Sequence, residues 1–161
     1  MHLGDGWTVA LSALTWFVTS FVVGRWAAGW PAERLARAGP FTRLRAWEHS
    51  GNWWQRRFRV LRWKDRLPEA GALFEGGRSK RHIGSRASVD LDIFRLETIR
   101  AERVHWLIMA STPVHLIWCR ATIAVGMVVF GLAFNVPFII IQRYNRGRID
   151  RVLARRSRTG R

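Results

Sequence analysis

Two long stretches without a charged residue constrain this chain more than any other feature of its sequence. One has 19 residues between Asp5 and Arg25, and the other has 22 residues between Arg120 and Arg143. A helix needs about 20 apolar residues to cross a bilayer, so both stretches are candidate spans. We expect the first to be a retained anchor rather than a cleaved signal peptide, because no basic segment precedes it and Arg25 follows it directly.

A third apolar stretch, 104–119, is 16 residues long and carries two histidines and a proline. As a helix it would rise roughly 24 Å, which is short for a full span. Arg120 is the only basic residue between this stretch and the next one. We predict that 104–141 forms a membrane hairpin that turns near Arg120, with a first arm that either spans fully or is re-entrant.

The distribution of positive charge predicts the orientation. Residues 31–103 carry 17 Lys and Arg and residues 142–161 carry 8, whereas none precedes the first span. Basic residues beside spans favour the cytoplasmic side, where anionic lipids also attract them. We therefore predict an all-α, multi-pass protein of the cell membrane with its N-terminus outside and its C-terminus in the cytoplasm. Its parts are an N-terminal transmembrane anchor (1–30), a cytoplasmic basic and interfacial region (31–103), a transmembrane helical hairpin (104–141) and a basic cytoplasmic tail (142–161).

The formal net charge of +16 is typical of proteins that bind either nucleic acid or membrane surfaces. The sequence has no helix-turn-helix, RNP or zinc-finger pattern, so we expect membrane lipids and no nucleic acid as partners. The single cysteine, Cys119, excludes an internal disulfide and offers no partner for a metal site. Neither a metal nor a tightly bound cofactor is expected, and the sequence does not indicate an oligomeric state.

A glycine-rich basic segment, "GGRSKR", lies in the middle region. Its glycines allow successive backbone N–H groups to point at an anion, and its cations supply charge. It is a candidate phosphate site, although the spacing is not that of a P-loop, and a flexible basic linker is the alternative. The candidate ligands are Arg78, Ser79, Lys80 and Arg81.

A lysine and an aspartate are adjacent in "WKDRLPEAG". Adjacent side chains do not face each other on an α-helix, so we expect Asp65 to pair with another element, such as an arginine, and Lys64 to bind substrate. The alternative is a solvated Lys64–Asp65 pair before the turn that Pro68 favours.

The candidate chemistry lies in "ETIRAERVHW", where Thr98, Glu102 and His105 share one helical face. A carboxylate beside an imidazole fixes its tautomer and raises its basicity. His105, oriented by Glu102 or by Asp65, is therefore a candidate general base that takes a proton from a hydroxyl during acyl transfer. The alternative is an interfacial aromatic partner of Trp106 with no catalytic task.

The last apolar run ends in "NVPFIIIQRYNRGR", which is more elaborate than a stop signal needs. Pro137 leaves one helical carbonyl without its usual partner. Polar side chains at i, i+7 and i+11 follow one line of the helix and should face the protein interior. We predict that this line forms one wall of a polar pocket, with Glu102 and His105 as the other. The candidate binding residues here are Asn135, Gln142, Arg143, Asn145 and Arg146.

Four motifs, "WKDRLPEAG", "GGRSKR", "ETIRAERVHW" and "NVPFIIIQRYNRGR", occur in one order. In this order they resemble the glycosyl-4,4'-diaponeurosporenoate acyltransferase family of small membrane enzymes. The resemblance covers about 52–148 and implies transfer of an acyl group to the sugar hydroxyl of a glycosylated carotenoid, or of another glycosylated lipid. The roles given above are our own assignment within the matching motifs.

These expectations combine into one mechanism. A thioester donor, acyl-CoA or acyl carrier protein, approaches from the cytoplasm with its phosphates on Arg78, Lys80 and Arg81. His105 deprotonates a hydroxyl of a glycosylated lipid acceptor, and a cation or amide near the tail motif stabilises the oxyanion. The competing class is a non-enzymatic membrane scaffold or anionic-lipid-binding subunit, in which the polar residues would be dispensable.

Overall fold

The structure, a computed structural model, describes residues 4–37, 39–67 and 87–159, and all structural statements below refer to these residues. Their regular structure is entirely helical. The α-helices are α1 (Asp5–Ala28), α2 (Ala32–Ala36), α3 (Asn52–Phe58), α4 (Ala87–Ser111) and α5 (Ala121–Thr159). Short 3-10 segments lie at Ala46–Gly51, Val60–Arg62, Lys64–Arg66 and Thr112–Ile117.

Two of the described helices, α1 and α5, are long and apolar enough to cross a membrane. They arise from the two charge-free stretches, as the sequence predicts. Both present large apolar side chains at the surface, including Phe17 (71% exposed) and Phe130 (50% exposed). Apolar faces of this extent need lipid or another protein to cover them. An all-helical protein with two membrane-compatible helices is therefore confirmed.

Helices α4 and α5 run antiparallel: as the residue number increases along α4, the number of the contacting residue in α5 decreases. Arg95 bonds to Asp150, Glu102 bonds to Arg143, and His105 lies beside Asn135. The chain reverses direction between Ser111 and Ala121, where Thr112–Ile117 forms a 3-10 segment with Pro113 at its start.

Helix α1 packs on the same pair of helices. Trp16 contacts both His115 and Phe130, while Ala27 and Trp30 share a core cluster with Ile99 of α4. The three long helices therefore form one bundle. The Trp30 end of α1 lies at the same level as the basic half of α5.

The region before and including α3 folds back against α5. Gly51 has φ +89°, and a Cβ at this position would lie 2.8 Å from the carbonyl oxygen of Tyr144. Beyond α3, Val60 is fully buried in a core cluster with Ile140, Ile141 and Tyr144. These contacts hold residues 51–60 against α5.

Candidate functional site

Four charged side chains form a buried group, which we call the ion cluster, between α4, α5 and Ala46–Gly51. Oε1 of Glu102 accepts a hydrogen bond from Nη1 of Arg143 at 2.6 Å, and Oε2 accepts one from Nη2 of Arg146. Glu48 accepts from Nε of Arg143 at 3.1 Å and also from its Nη2. Two carboxylates thus balance two guanidinium groups in the protein interior.

Backbone carbonyls of residues 41–43 complete the ion cluster. Arg143 donates to the first and third of these carbonyls at 2.8 and 3.0 Å, and Arg146 donates to the second at 2.7 Å. Buried charges are tolerated when their hydrogen bonds are satisfied as well as their charges paired. The segment 41–43 is consequently fastened to α5.

Glu48 is fully buried, and its carboxylate also accepts from the backbone N–H of Arg45 and from Nε1 of Trp54, each at 2.7 Å. Burial acts to raise the pKa of Glu48, but the hydrogen bonds from Arg143, Arg45 and Trp54 outweigh it and hold the pKa below its ordinary value of 4.5. Glu48 therefore stays ionised at neutral pH as the partner of Arg143.

Glu102 does not orient His105, so that prediction was wrong. Both its carboxylate oxygens serve arginines, and Oε1 also accepts from Nε1 of Trp106 at 3.4 Å. Glu102 and His105 lie three residues apart on α4, but this spacing does not make them hydrogen-bond partners. The arginines compete more strongly for a buried carboxylate, because a charged donor forms a stronger hydrogen bond than a neutral one.

His105 is instead paired with an amide. Its Nδ1 lies 2.9 Å from Oδ1 of Asn135, whose Nδ2 donates to the carbonyl oxygen of Gly131 at 2.9 Å. A carbonyl oxygen can only accept, so this second bond sets which end of the amide faces the histidine. The hydrogen-bond network thus assigns the proton of a neutral His105 to Nδ1. Its Nε2 then carries the lone pair that a general base needs.

Aromatic packing and burial surround this pair. The ring of His105 stacks on Phe138 with centroids 4.7 Å apart and planes 9° from parallel. Asn135 is 1% exposed, whereas His105 is half-buried and its Nε2 has no hydrogen-bond partner among the described residues. A half-buried imidazole with a fixed tautomer and an unoccupied acceptor nitrogen can take a proton from a bound hydroxyl.

The tail motif lies where its spacing predicts. Asn135, Gln142, Arg143 and Arg146 are all buried against the rest of the protein, and Asn145 is half-buried. The two arginines are packed into the ion cluster. One donor stands apart, because Nη1 of Arg146 is buried without a hydrogen-bond partner in the described part of the chain.

Lys64 and Asp65 pair with each other at 2.5 Å, so the prediction that Asp65 pairs with another element was wrong and the solvated-pair alternative was right. Both lie in a 3-10 segment, where the flexible lysine side chain can curl back to its neighbour. The Asp65 side chain is 78% exposed. The predicted phosphate ligands Arg78, Ser79, Lys80 and Arg81 lie outside the described residues.

Sequence reasoning missed Glu48, although a signal for it exists. It is the only acidic residue between Glu33 and Asp65, in a stretch rich in arginine. A lone carboxylate in such surroundings is a candidate for a buried ion pair. The described residues contain no group of three or more His, Cys, Asp and Glu side chains that could hold a metal ion.

His115 lies at the other end of the bundle. It is 2% exposed, and its ring stacks on Trp16 with centroids 6.2 Å apart. Its Nδ1 has no partner within the parts of the chain that are described. His115 is thus a packed residue of the helix bundle, away from the ion cluster.

Comparison with known proteins agrees with this arrangement of motifs. The family model described as glycosyl-4,4'-diaponeurosporenoate acyltransferase matches residues 38–155. A protein of that name from Staphylococcus haemolyticus is 30% identical over 120 residues, which are 74% of this chain and 70% of the relative. One from Staphylococcus aureus (strain N315) is 28% identical over 113 residues, which are 70% of this chain and 68% of the relative. No solved structure matches. This chain belongs to the glycosyl-4,4'-diaponeurosporenoate acyltransferase family.

Proposed function

We propose that this protein transfers a fatty acyl group from a thioester donor to a hydroxyl of a glycosylated lipid. Its relatives are named as acyltransferases that act on a glycosyl carotenoid. The observation that carries the proposal is the His105–Asn135 pair, because it leaves Nε2 of His105 as an unprotonated, half-buried base. Family membership supports the reaction type, and this pair supplies a group that can perform it.

The proposed step is direct transfer. Nε2 of His105 removes the proton as the acceptor oxygen attacks the thioester carbonyl, and the carbon–sulfur bond breaks as the ester forms. The imidazolium then returns the proton to the leaving thiolate, so that the products are an ester and a thiol. Asn135 is a positioning residue in this scheme, since it acts through the histidine.

Arg146 is the proposed donor to the oxyanion. Its Nη2 is held by Glu102 and by the carbonyl of Thr42, while Nη1 is buried without a partner among the described residues. A guanidinium fixed in this way needs no reorganisation when negative charge develops. Arg143 is less suited to this task, because all its nitrogens donate within the ion cluster.

The remaining predicted roles stay proposals. The donor is acyl-CoA or acyl carrier protein, and Arg78, Ser79, Lys80 and Arg81 stay candidate phosphate ligands from the sequence alone. The basic half of the molecule faces the cytoplasm, and the N-terminus faces outward. Gln142 and Asn145 remain candidate contacts of the acceptor, whereas we propose no role for the exposed Lys64–Asp65 pair.

Comparative lipid mass spectrometry of cells with and without the gene tests this function. The proposal predicts loss of an acylated glycolipid and accumulation of its deacylated precursor when the gene is deleted. The His105→Gln variant should give the same lipid profile as the deletion while reaching normal abundance in the membrane. An unchanged set of acylated lipids in the deletion strain would favour a scaffold and contradict the enzyme.

A further inference from the structure

An apolar groove runs along the outside of α4, between α1 and the segment 39–42. It consists of two adjoining hollows of about 340 and 410 Å³ that share Phe41, Trp106 and Leu107 as walls. The apolar end is formed by Met109 and Ala110 of α4. Sites for small molecules typically have about 300–1,000 Å³, so each hollow is large enough to hold part of one.

The other end of the groove is strongly basic. Arg34 and Arg103 both line it, and Arg103 donates through Nη1 to the backbone carbonyl of Arg34 at 2.9 Å and through Nη2 to that of Arg37. Burial and then the positive charge of Arg34 lower the pKa of Arg103. Neither arginine has a carboxylate within 4 Å among the described residues. Two neighbouring cations without a directly paired carboxylate favour an anion between them.

A buried donor at the same end also lacks an acceptor. Trp30 lines the groove and is 6% exposed, and its Nε1 has no hydrogen-bond partner in the described residues. The guanidinium of Arg34 lies over the Trp30 ring, with Cζ 4.6 Å from its centroid. A buried N–H is normally satisfied, so this one indicates an acceptor that arrives with a ligand.

We propose that this groove holds the acyl thioester donor, with its chain against Phe41, Leu107 and Ala110 and a phosphate of its carrier group at Arg34 and Arg103. The charge decides between the two substrates, because a glycosylated carotenoid is neutral at its head whereas the donor's carrier group is anionic. This inference rests on the proposed function. It differs from the sequence-based expectation, which placed the donor's phosphates in the segment 78–81.

The position of the groove on α4 suits this role. It includes Trp106, which directly follows His105, and successive residues of a helix point about 100° apart. The groove therefore occupies the face of α4 next to the one that carries the base. Thr42, whose carbonyl accepts from Arg146, also lines it. A chain in the groove would thus lie beside Trp106, which is adjacent to the base in the sequence of α4.

Binding of an unreactive donor analogue tests the groove. The full chain in nanodiscs of zwitterionic phosphatidylcholine is titrated with hexadecyl-coenzyme A, a thioether that cannot transfer its chain. We expect Arg34→Gln to weaken binding about tenfold, as for loss of a charged hydrogen bond, and Arg34→Lys to weaken it less. The side chain of Ala110 is exposed, so Ala110→Trp can fill the groove without disturbing the core. This substitution should weaken the binding of hexadecyl-coenzyme A about tenfold and leave the binding of octyl-coenzyme A unchanged.

The matched control is Ala13→Trp, at an exposed position of α1 that does not line the groove. It should bind both analogues as the unmodified chain does. Hexadecyl-coenzyme A affinity that is unchanged in both Arg34→Gln and Ala110→Trp would overturn the groove. A second contradicting result would be that Arg34→Gln no longer weakens analogue binding when anionic phosphatidylglycerol is added. The arginines would then hold bulk lipid headgroups.

Acyl transfer measured in the same preparations separates this inference from the proposed function. Normal acyl transfer together with unchanged donor binding in the groove variants would contradict the groove as the donor site and leave the proposed function standing. Groove-dependent binding without transfer to any glycolipid would remove the proposed function and keep a binding site for an anionic amphiphile. If both proposals are correct, donor binding and acyl transfer decrease together in Arg34→Gln.

Discussion

The ion cluster concentrates four charges where water cannot reach them, and its residues therefore respond unequally to substitution. Glu48 and Glu102 are each fully buried against arginines, whereas Asp65 pairs with Lys64 at the surface. Removing one member of a buried pair leaves an uncompensated charge, while an exposed pair contributes little. An ion pair in the ion cluster therefore affects the free energy of unfolding more than the Lys64–Asp65 pair does.

We predict that Glu48→Gln lowers the free energy of unfolding by about 3–5 kcal/mol, because Arg143 keeps its charge and loses part of its compensation. Asp65→Asn is the matched control and should change it by less than about 0.5 kcal/mol. Unfolding of both variants in the same detergent by denaturant titration measures the difference. Equal effects of the two substitutions would mean that the ion cluster is not buried in the folded protein.

The lowered pKa of Glu48 makes the stability of the folded protein depend on pH. Since its pKa is lower in the folded than in the unfolded protein, its contribution to stability is fully present above the ordinary value of 4.5. It is lost as the pH falls through the folded pKa. As the pH falls below about 4.5, we expect the denaturant concentration at the unfolding midpoint to decrease. The decrease should be smaller in Glu48→Gln. Parallel pH profiles of the two proteins would contradict this assignment.

At the scale of elements, α1 and α5 could be predicted from the sequence because each is a long charge-free stretch. The burial of Asn135 and Arg146 could be predicted too, since helical periodicity places them on one face, although α5 is buried on every side over 139–144. The partners of these residues could not. Glu48 and Arg143 are 95 positions apart, and His105 and Asn135 are 30 apart. Such pairs depend on how helices pack, which no local pattern contains.

The close approach of α5 to the end of Ala46–Gly51 gives a prediction for one glycine. Gly51 has φ +89° and lies so near Tyr144 that an added Cβ would be 2.8 Å from its carbonyl oxygen. Gly51→Ala should therefore destabilise the protein by about 1–3 kcal/mol. Gly126→Ala is the control, because a Cβ at this position of α5 meets nothing within 4 Å and should be neutral or stabilising. Thermal unfolding of both variants compares them, and a stable Gly51→Ala would contradict this packing.

For the whole molecule, the bundle places its polar features at one end. The ion cluster, the basic end of the groove and the arginines of α5 lie together at the level of Trp30 and Glu102. Positive charge on one side predicts that this end faces the cytoplasm. In this orientation the proposed base, His105, would meet a donor from the cytoplasm and an acceptor from the bilayer.

Cysteine labelling in intact cells tests this orientation. In a Cys119→Ser background, the predicted orientation places the N-terminus outside, so we expect Gly4→Cys to react with a membrane-impermeant maleimide. Ser157→Cys, in the basic end of α5, should react only after the membrane is permeabilised. Reaction of Ser157→Cys in intact cells would place the basic end outside.

The central claim is that His105, held by Asn135, is the base of an acyl transfer. The most direct test is the initial rate of transfer from a thioester to a glycolipid by the purified chain, with Asp65→Asn as a folded control. His105→Gln should lower kcat by about 10²–10⁴-fold without changing the KM for the donor comparably. Asn135→Ala should lower kcat by a smaller factor, because the histidine remains but its tautomer is no longer fixed. Transfer by His105→Gln at the rate of the unmodified chain would contradict the account.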